Sequence, residues 1–275
     1  MRKISVLILT ILISGIIAFS QSTSGRLVGT VNSPDGVLPN ANVTIKDSKT
    51  GKTQTVVTGN DGSFLFPQLE FGVYSVTISV NGFKTYLNNE VKIDVGREVS
   101  LNAILEVGNI QESVTVTGGA DVINSTTAEI STTVSPRQVL ELPINGRNPL
   151  ALLNLQAGVN ITSSSINGQR SSSANFTRDG INLQDNFIRT GGFVQDRPTV
   201  DDTGEFTVVT QNAGAELGNG GSTQVLLATP RGGKDFRGAL FEFNRNSGFA
   251  ANTFGNNSSG TVRPFLNRNQ FGGKA

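Results

Sequence analysis

Four runs decide the fold: NGQR (Asn167–Arg170), RDGINLQDN (Arg178–Asn186), EFTVVTQNAGAELGNGGSTQVLLATPRGG (Glu205–Gly233) and FRGALFEFNRN (Phe236–Asn246). Their grammar is short β-runs punctuated by Gly and Asn. Phe206–Val209 and Gln224–Ala228 read as strands, because β-branched and apolar residues cluster there between turn formers. Gly214, Gly218, Gly220, Gly221, Gly232, Gly233 and Gly238 are too dense for a helix. Their spacing is not that of a phosphate loop, since G-K-[ST] and a strand-to-helix context are both missing, and tight turns explain them better. Charges of both signs are scattered through the region, including Arg170, Arg178, Asp179, Glu205, Glu216 and Arg231. A small glycine-rich β-domain carrying such charges suits a polar, enclosed interior.

Upstream, two helices interrupt the β-pattern. Ser135-Pro136-Arg137-Gln138 combines a capping Ser, Pro at the first helical position and Gln three residues after the cap. Pro143 stops that helix. A second opens at Pro149, carries Leu150, Leu152, Leu153 and Leu155, and ends near Gly158, leaving Arg147 in the turn between them.

These motifs in this order, with LPINGRNPLALLNLQAGV (Leu142–Val159), resemble the plug domain of TonB-dependent outer-membrane receptors, most of all the Oar-like subgroup with an extra β-domain ahead of the plug. The resemblance implies a plug over residues 119–235. In that family plug charges meet the barrel wall, which makes Arg147, Arg170, Arg178, Asp179 and Glu205 candidate contacts. The alternative is solvated turn residues, whose surface pairs contribute little. The polar loops Gln156–Ser173 and Gln184–Asp202 would face the ligand in such a receptor. Phe187, Arg189 and Phe193 either grip a ligand there or simply anchor a loop.

Composition bounds the chemistry. Twenty-two basic and 21 acidic residues give a net charge of +1, so no nucleic-acid partner is implied. Cys and His are both absent, which removes disulfides, Cys/His metal sites, Cys nucleophiles and any His base. No paired-carboxylate motif stands out, and the expectation is a protein that is not an enzyme and holds no cofactor or metal. Gly at 32 residues and a hydrophobic share of 36% favour turn-rich β-structure over large compact cores.

At the N-terminus Arg2 and Lys3 precede the apolar run Ile4–Ala18, with Ala18 and Ser20 small ahead of Gln21. This is the pattern of a Sec-type signal peptide over residues 1–20. A membrane anchor needs roughly 20 apolar residues, and this run is shorter and broken by Ser14 and Gly15.

Residues 21–107 read as a β-sandwich of about seven short strands. The expected strands are Arg26–Val31, Asn42–Lys46, Lys52–Thr58, Ser63–Phe66, Gly72–Val80, Glu90–Asp94 and Glu98–Leu105. Turns at Pro34-Asp35-Gly36, Asn60-Asp61-Gly62 and Asn81-Gly82 separate them. AxVTI (Ala41–Ile45), NDGSFLFPQL (Asn60–Leu69) and GxYxV (Gly72–Val76) resemble the carboxypeptidase regulatory-like fold, an accessory sandwich. Asp35, Asp61 and Asp94 are better explained as turn residues than as a Ca²⁺ site.

Residues 108–118 form a linker. Within it Glu112, Ser113, Val114, Thr115, Val116 and Thr117 resemble a TonB box, and an extended Val/Thr run can add as a strand to a partner's sheet. The partner implied is a TonB-type periplasmic energy transducer. The other reading makes Val114–Thr117 the first strand of the plug. The two are compatible if the strand can be released.

From residue 236 the pattern is two-sided. Ala239, Phe241 and Phe243 fall on one face and Leu240, Glu242 and Asn244 on the other, as in a lipid-facing barrel strand or in the edge strand of a sandwich. Val262–Phe271 is expected as the return strand. A barrel needs about eight strands to close, so residues 236–275 are expected to begin a longer protein. The fold class is mainly β: a regulatory-like sandwich, a small α+β plug and the start of a transmembrane barrel. The expected function is the gate of an energy-coupled outer-membrane receptor for a large scarce ligand, with the sandwich in the periplasm. The ligand is left open among siderophore, oligosaccharide and peptide. The rival is a secreted, non-enzymatic binding or adhesion protein.

Overall fold

A computed structural model describes residues 24–108, 113–116, 127–144, 146–160, 165–185, 187, 194, 197–218, 221 and 223–275. The expected signal peptide, Glu112, Thr117, Arg189 and Phe193 lie outside the described residues. Two compact units divide the chain at Gly232/Gly233.

The first unit begins with the sandwich. Its first sheet centres on β1 (Gly25–Ser33), flanked by antiparallel β5 (Ser63–Leu69) and parallel β8 (Glu98–Ile104), with β2 (Gly36–Val37) paired at the end of β1. Its second sheet runs β4 (Thr53–Val57), β3 (Asn42–Asp47), β6 (Gly72–Ser79), β7 (Thr85–Ile93), β9 (Ser113–Val116). Alternation along β1 and β3 turns Leu27, Val31, Val43 and Ile45 inward. Phe66, Val76, Ile78, Val91 and Ile93 complete a core drained of water. Gly29 is needed where β1 crosses that core: a Cβ there would lie 1.9 Å from the Leu101 carbonyl and 2.6 Å from the Phe64 ring.

The expected strand Glu90–Asp94 is only the second half of β7. The β6–β7 register moves from Tyr74↔Val91 to Val76↔Asn88, so β7 carries one extra residue. That bulge leaves Asn89 and Glu90 exposed in succession and breaks the alternation that would reveal the first half.

The second domain of this unit is α+β. Its sheet runs β10 (Ile130–Val134), β13 (Glu205–Gln211), β14 (Gln224–Ala228), β11 (Asn175–Arg178), β12 (Ile181–Asn182), antiparallel throughout except at β14–β11. The helix α1 (Pro136–Glu141) opens with the expected capping box: Ser135 N–H donates to the Gln138 side chain at 2.9 Å, and Ser135 Oγ accepts from Gln138 N–H. The second expected helix is a 3₁₀ segment, Pro149–Leu155, capped by the Asn148 side chain. It stops at an extended Gln156 before the turn at Gly158, so it is shorter and tighter than the Leu spacing implies.

One face of the sheet (Phe176, Phe206, Val208, Val225, Leu227) packs on Val139, Leu150, Leu152 and Leu153 from these two helical segments. The other face (Val209, Leu226, Ala228) packs, with Leu217, on Val95 and Phe71 of the sandwich. The sandwich is therefore docked on this domain.

In the second unit β15 (Ala239–Asn246) pairs with β16 (Asn267–Lys274) over eight residues in antiparallel register, and a short helix α2 (Phe254–Ser258) lies in the connection. The return strand starts later than expected. Pro264, which has no N–H for a ladder, sits in the part of Val262–Phe271 that stays irregular. Phe241 and Phe243 stack side by side, 6.0 Å between ring centroids. Phe236, Leu240 and Phe271 are almost fully exposed.

Candidate functional site

The candidate coupling strand lies on the sandwich. β9 pairs in parallel with β7 through Thr85↔Ser113, Tyr86↔Val114, Leu87↔Thr115 and Asn88↔Val116. The alternative placement, as first strand of the α+β sheet, is thereby corrected: that sheet begins with β10. The bulged β7 offers an open edge ahead of its bulge, and the linker strand takes it. Val114 keeps 37% of its surface exposed.

The five candidate wall-contact residues separate into different environments. Arg147, with φ +58° in the turn between the helical segments, pairs with Asp201 in a mostly buried ion pair. Arg178, at the end of β11, lies 3.5 Å from Asp202. Asp179, with φ +48°, accepts from Thr229 N–H at 3.0 Å and so ties the β11–β12 turn to the end of β14. Arg170 is exposed beside the Ser171–Ser173 turn.

Glu205 departs from the expectation. Its carboxylate is 2% exposed and accepts from Val95 N–H of the sandwich at 2.9 Å. Burial pushes its pKa up to about 7, against the Val95 hydrogen bond; the Asp94 charge adds to the rise. A side chain closed in beneath the sandwich has no face to offer a barrel wall. It is a docking residue.

Arg231 belongs to the same docking face. Its guanidinium donates to Asp47 of β3 at 3.1 Å and to Glu70, and lies 5.2 Å over the Phe71 ring. Gly72 lets it approach, since a Cβ there would sit 2.6 Å from its terminal nitrogen. Lys49 Nζ donates to the Arg231 carbonyl, and Arg26 reaches Glu216 at 3.4 Å. A second glycine, Gly96 (φ +65°), receives the Leu226 side chain, 2.3 Å from where its Cβ would be. No local signal marks these residues, because Arg231 and Asp47 are 184 positions apart. Beside the clamp opens a cleft of about 690 Å³, lined by Asp47, Glu70, Tyr74, Asp179, Thr229 and Arg231 among others. Among the described residues, no group of three or more acidic side chains is arranged to hold a metal ion. Asp61 accepts from the Ser63 amide and hydroxyl, and Asp94 pairs with Lys92 and Arg97.

Two family models match. The carboxypeptidase regulatory-like domain covers residues 26–106, and an outer membrane beta barrel domain covers residues 228–275. The chain is mainly β, and these matches fall on the sandwich and on the terminal hairpin. The TonB-dependent transporter Oar of Myxococcus xanthus is 23% identical over 259 residues, spanning 88% of this chain and 23% of that protein. Both the barrel match and this relative point to the outer membrane. Similar solved structures include the Bacillus anthracis TIE protein, at 20% identity over 31% of this chain and 17% of that one, with TM-score 0.27. A second is a putative carbohydrate binding protein from Bacteroides uniformis, at 10% identity over 31% and 43%, with TM-score 0.28.

Proposed function

We propose that this chain is the gate and accessory portion of a TonB-dependent outer-membrane transporter. In this reading residues 21–107 are a periplasmic sandwich, residues 108–118 a coupling linker, residues 119–235 the plug, and residues 236–275 the first barrel strands, after a signal peptide over 1–20. The function is binding and gating without covalent chemistry. A large scarce ligand, such as a siderophore, oligosaccharide or peptide, binds outside, and force on Ser113–Val116 from a periplasmic transducer then shifts the plug.

One observation carries the reading. A regulatory-like sandwich, a compact α+β sheet and a barrel-like hairpin follow each other in a chain that aligns with a TonB-dependent transporter over 259 residues. The hairpin supports it further. Isolated two-stranded hairpins are marginal in water, and this one leaves large apolar side chains exposed.

The test is capture of the purified chain by the periplasmic domain of a TonB-type transducer, compared with Val114→Pro. Proline in an added strand removes a ladder donor, so binding should be lost. Val114 keeps 37% of its surface exposed, so the sandwich fold should survive, which circular dichroism checks. Binding unchanged by Val114→Pro would remove Ser113–Val116 from the coupling role.

A further inference from the structure

We propose that the cleft between the sandwich and the α+β domain is a receptor for a guanidinium group, filled by Arg231 as an internal ligand, and that an arginine-bearing peptide segment binds there by displacing it. Both sheets of the sandwich line this cleft, Gln68 from β5 of the first and Asp47, Gln54 and Tyr74 from β3, β4 and β6 of the second. The α+β domain contributes Asp179 and the end of β14, with Arg231 just beyond it. The site stands whether or not Ser113–Val116 couples to a transducer.

The lining is biased toward a cation. Asp47, Glu70 and Asp179 face Lys52 and Arg231, so without Arg231 three negative charges meet one positive. The present occupant shows which cation suits it. The guanidinium carbon of Arg231 lies 5.2 Å over the Phe71 ring, while the same group donates to Asp47 and Glu70. A ring face beside carboxylates favours a flat, delocalised guanidinium over a compact, strongly hydrated ammonium. Gly72 keeps the approach open, since a Cβ there would sit 2.6 Å from the Arg231 terminal nitrogen.

Arg231 fills this receptor imperfectly. A single nitrogen, Nη1, donates to both carboxylates, and Nε is buried without an acceptor among the described residues. A guanidinium free to turn can present two nitrogens in the forked pairing that carboxylates favour. Arg231 holds its place through its tether, which gives it an effective concentration on the order of millimolar. A competing segment therefore needs contacts beyond its guanidinium. The remainder of the cleft, about 690 Å³ with Gln54, Gln68 and Asp179 on its walls, supplies them.

The probe is N-acetyl-arginine amide, titrated calorimetrically into the full chain and into Arg231→Ala, with neutral N-acetyl-citrulline amide as the control. Removal of the tethered competitor predicts that the arginine probe binds Arg231→Ala at least about tenfold more tightly than the unsubstituted chain. The citrulline probe should bind neither, and Asp47→Asn in the Arg231→Ala background should abolish the gain. Arg231→Gln is carried in parallel, with circular dichroism as the check on folding. Should alanine unfold the chain, glutamine, which keeps an amide for Asp47, takes its place. Equal affinity of the arginine probe for substituted and unsubstituted chains, or no binding to a folded variant, overturns the proposal. Equal binding of the citrulline probe also overturns it, by making the cleft indifferent to charge. Affinity that survives Asp47→Asn places the site elsewhere and does the same.

Discussion

The Val95 amide donates to the Glu205 carboxylate at 2.9 Å across 110 positions of sequence, and this bond joins the sandwich to the α+β sheet. Because burial raises the Glu205 pKa to about 7, its contribution to docking is fully present below the ordinary carboxylate range. It fades as pH rises through about 7. Thermal stability and resistance to proteolysis between the domains should therefore be greater at pH 5 than at pH 8, by on the order of 2–4 kcal/mol. Glu205→Gln, which keeps an oxygen for the Val95 amide and cannot ionise, should flatten that dependence and stabilise the chain at pH 8. A profile identical in both proteins would remove Glu205 as the cause.

Arg231→Ala should be costly for a different reason. It takes the cationic partner from the Asp47 carboxylate of β3, which is 5% exposed and would keep only the Lys49 and Thr50 amides. Breaking such a pair from one side typically costs about 3 kcal/mol. Glu70 is 66% exposed on the same guanidinium, so Glu70→Ala should cost less than about 1 kcal/mol. Denaturant titrations of the two variants test the ordering. Equal effects would mean that the clamp is a surface contact.

Gly96 and Gly82 make a matched pair. Both have positive φ, but a Cβ at Gly96 meets Leu226 whereas a Cβ at Gly82 meets nothing within 4 Å. Gly82→Ala measures backbone strain alone, about 1 kcal/mol. Gly96→Ala should cost at least as much and should also loosen docking, seen as faster cleavage after Val95. If only global stability falls, with no change in interdomain protection, Leu226 has swung aside.

For the hairpin, the expectation concerns sidedness. Phe241 and Phe243 share one face and Asn244 lies on the other, and the Phe241 ring covers Gly272 so closely that a Cβ there would be 2.7 Å away. In membranes carrying the intact protein, Phe243→Cys should resist a water-soluble maleimide while Asn244→Cys reacts. Equal labelling would argue against a lipid-facing strand.

Much of this architecture is legible in the sequence where periodicity is local. Alternation at Val43/Ile45 and Val76/Ile78 marks sandwich strands, and Ser135–Gln138 announces a helix through chemistry confined to one turn. Legibility fails where a device interrupts the period. The bulge at Asn89–Glu90 hides the front of β7, and with it the edge that β9 occupies. Pro264 delays β16. The docking site was illegible for another reason: Glu205 looks like any strand-start acid and Arg231 like any turn cation until the fold brings Val95 and Asp47 to them. Gly72 begins an expected strand, and nothing near it or Gly96 says that each also admits a side chain from the neighbouring domain.

The most direct test of the central claim is to read the gene beyond the codon for Ala275. The account predicts a continuing frame of several hundred codons, with alternating strands enough to close a barrel around the plug. A stop codon directly after Ala275 would leave a plug without a barrel. It would contradict the transporter account and favour a secreted binding protein.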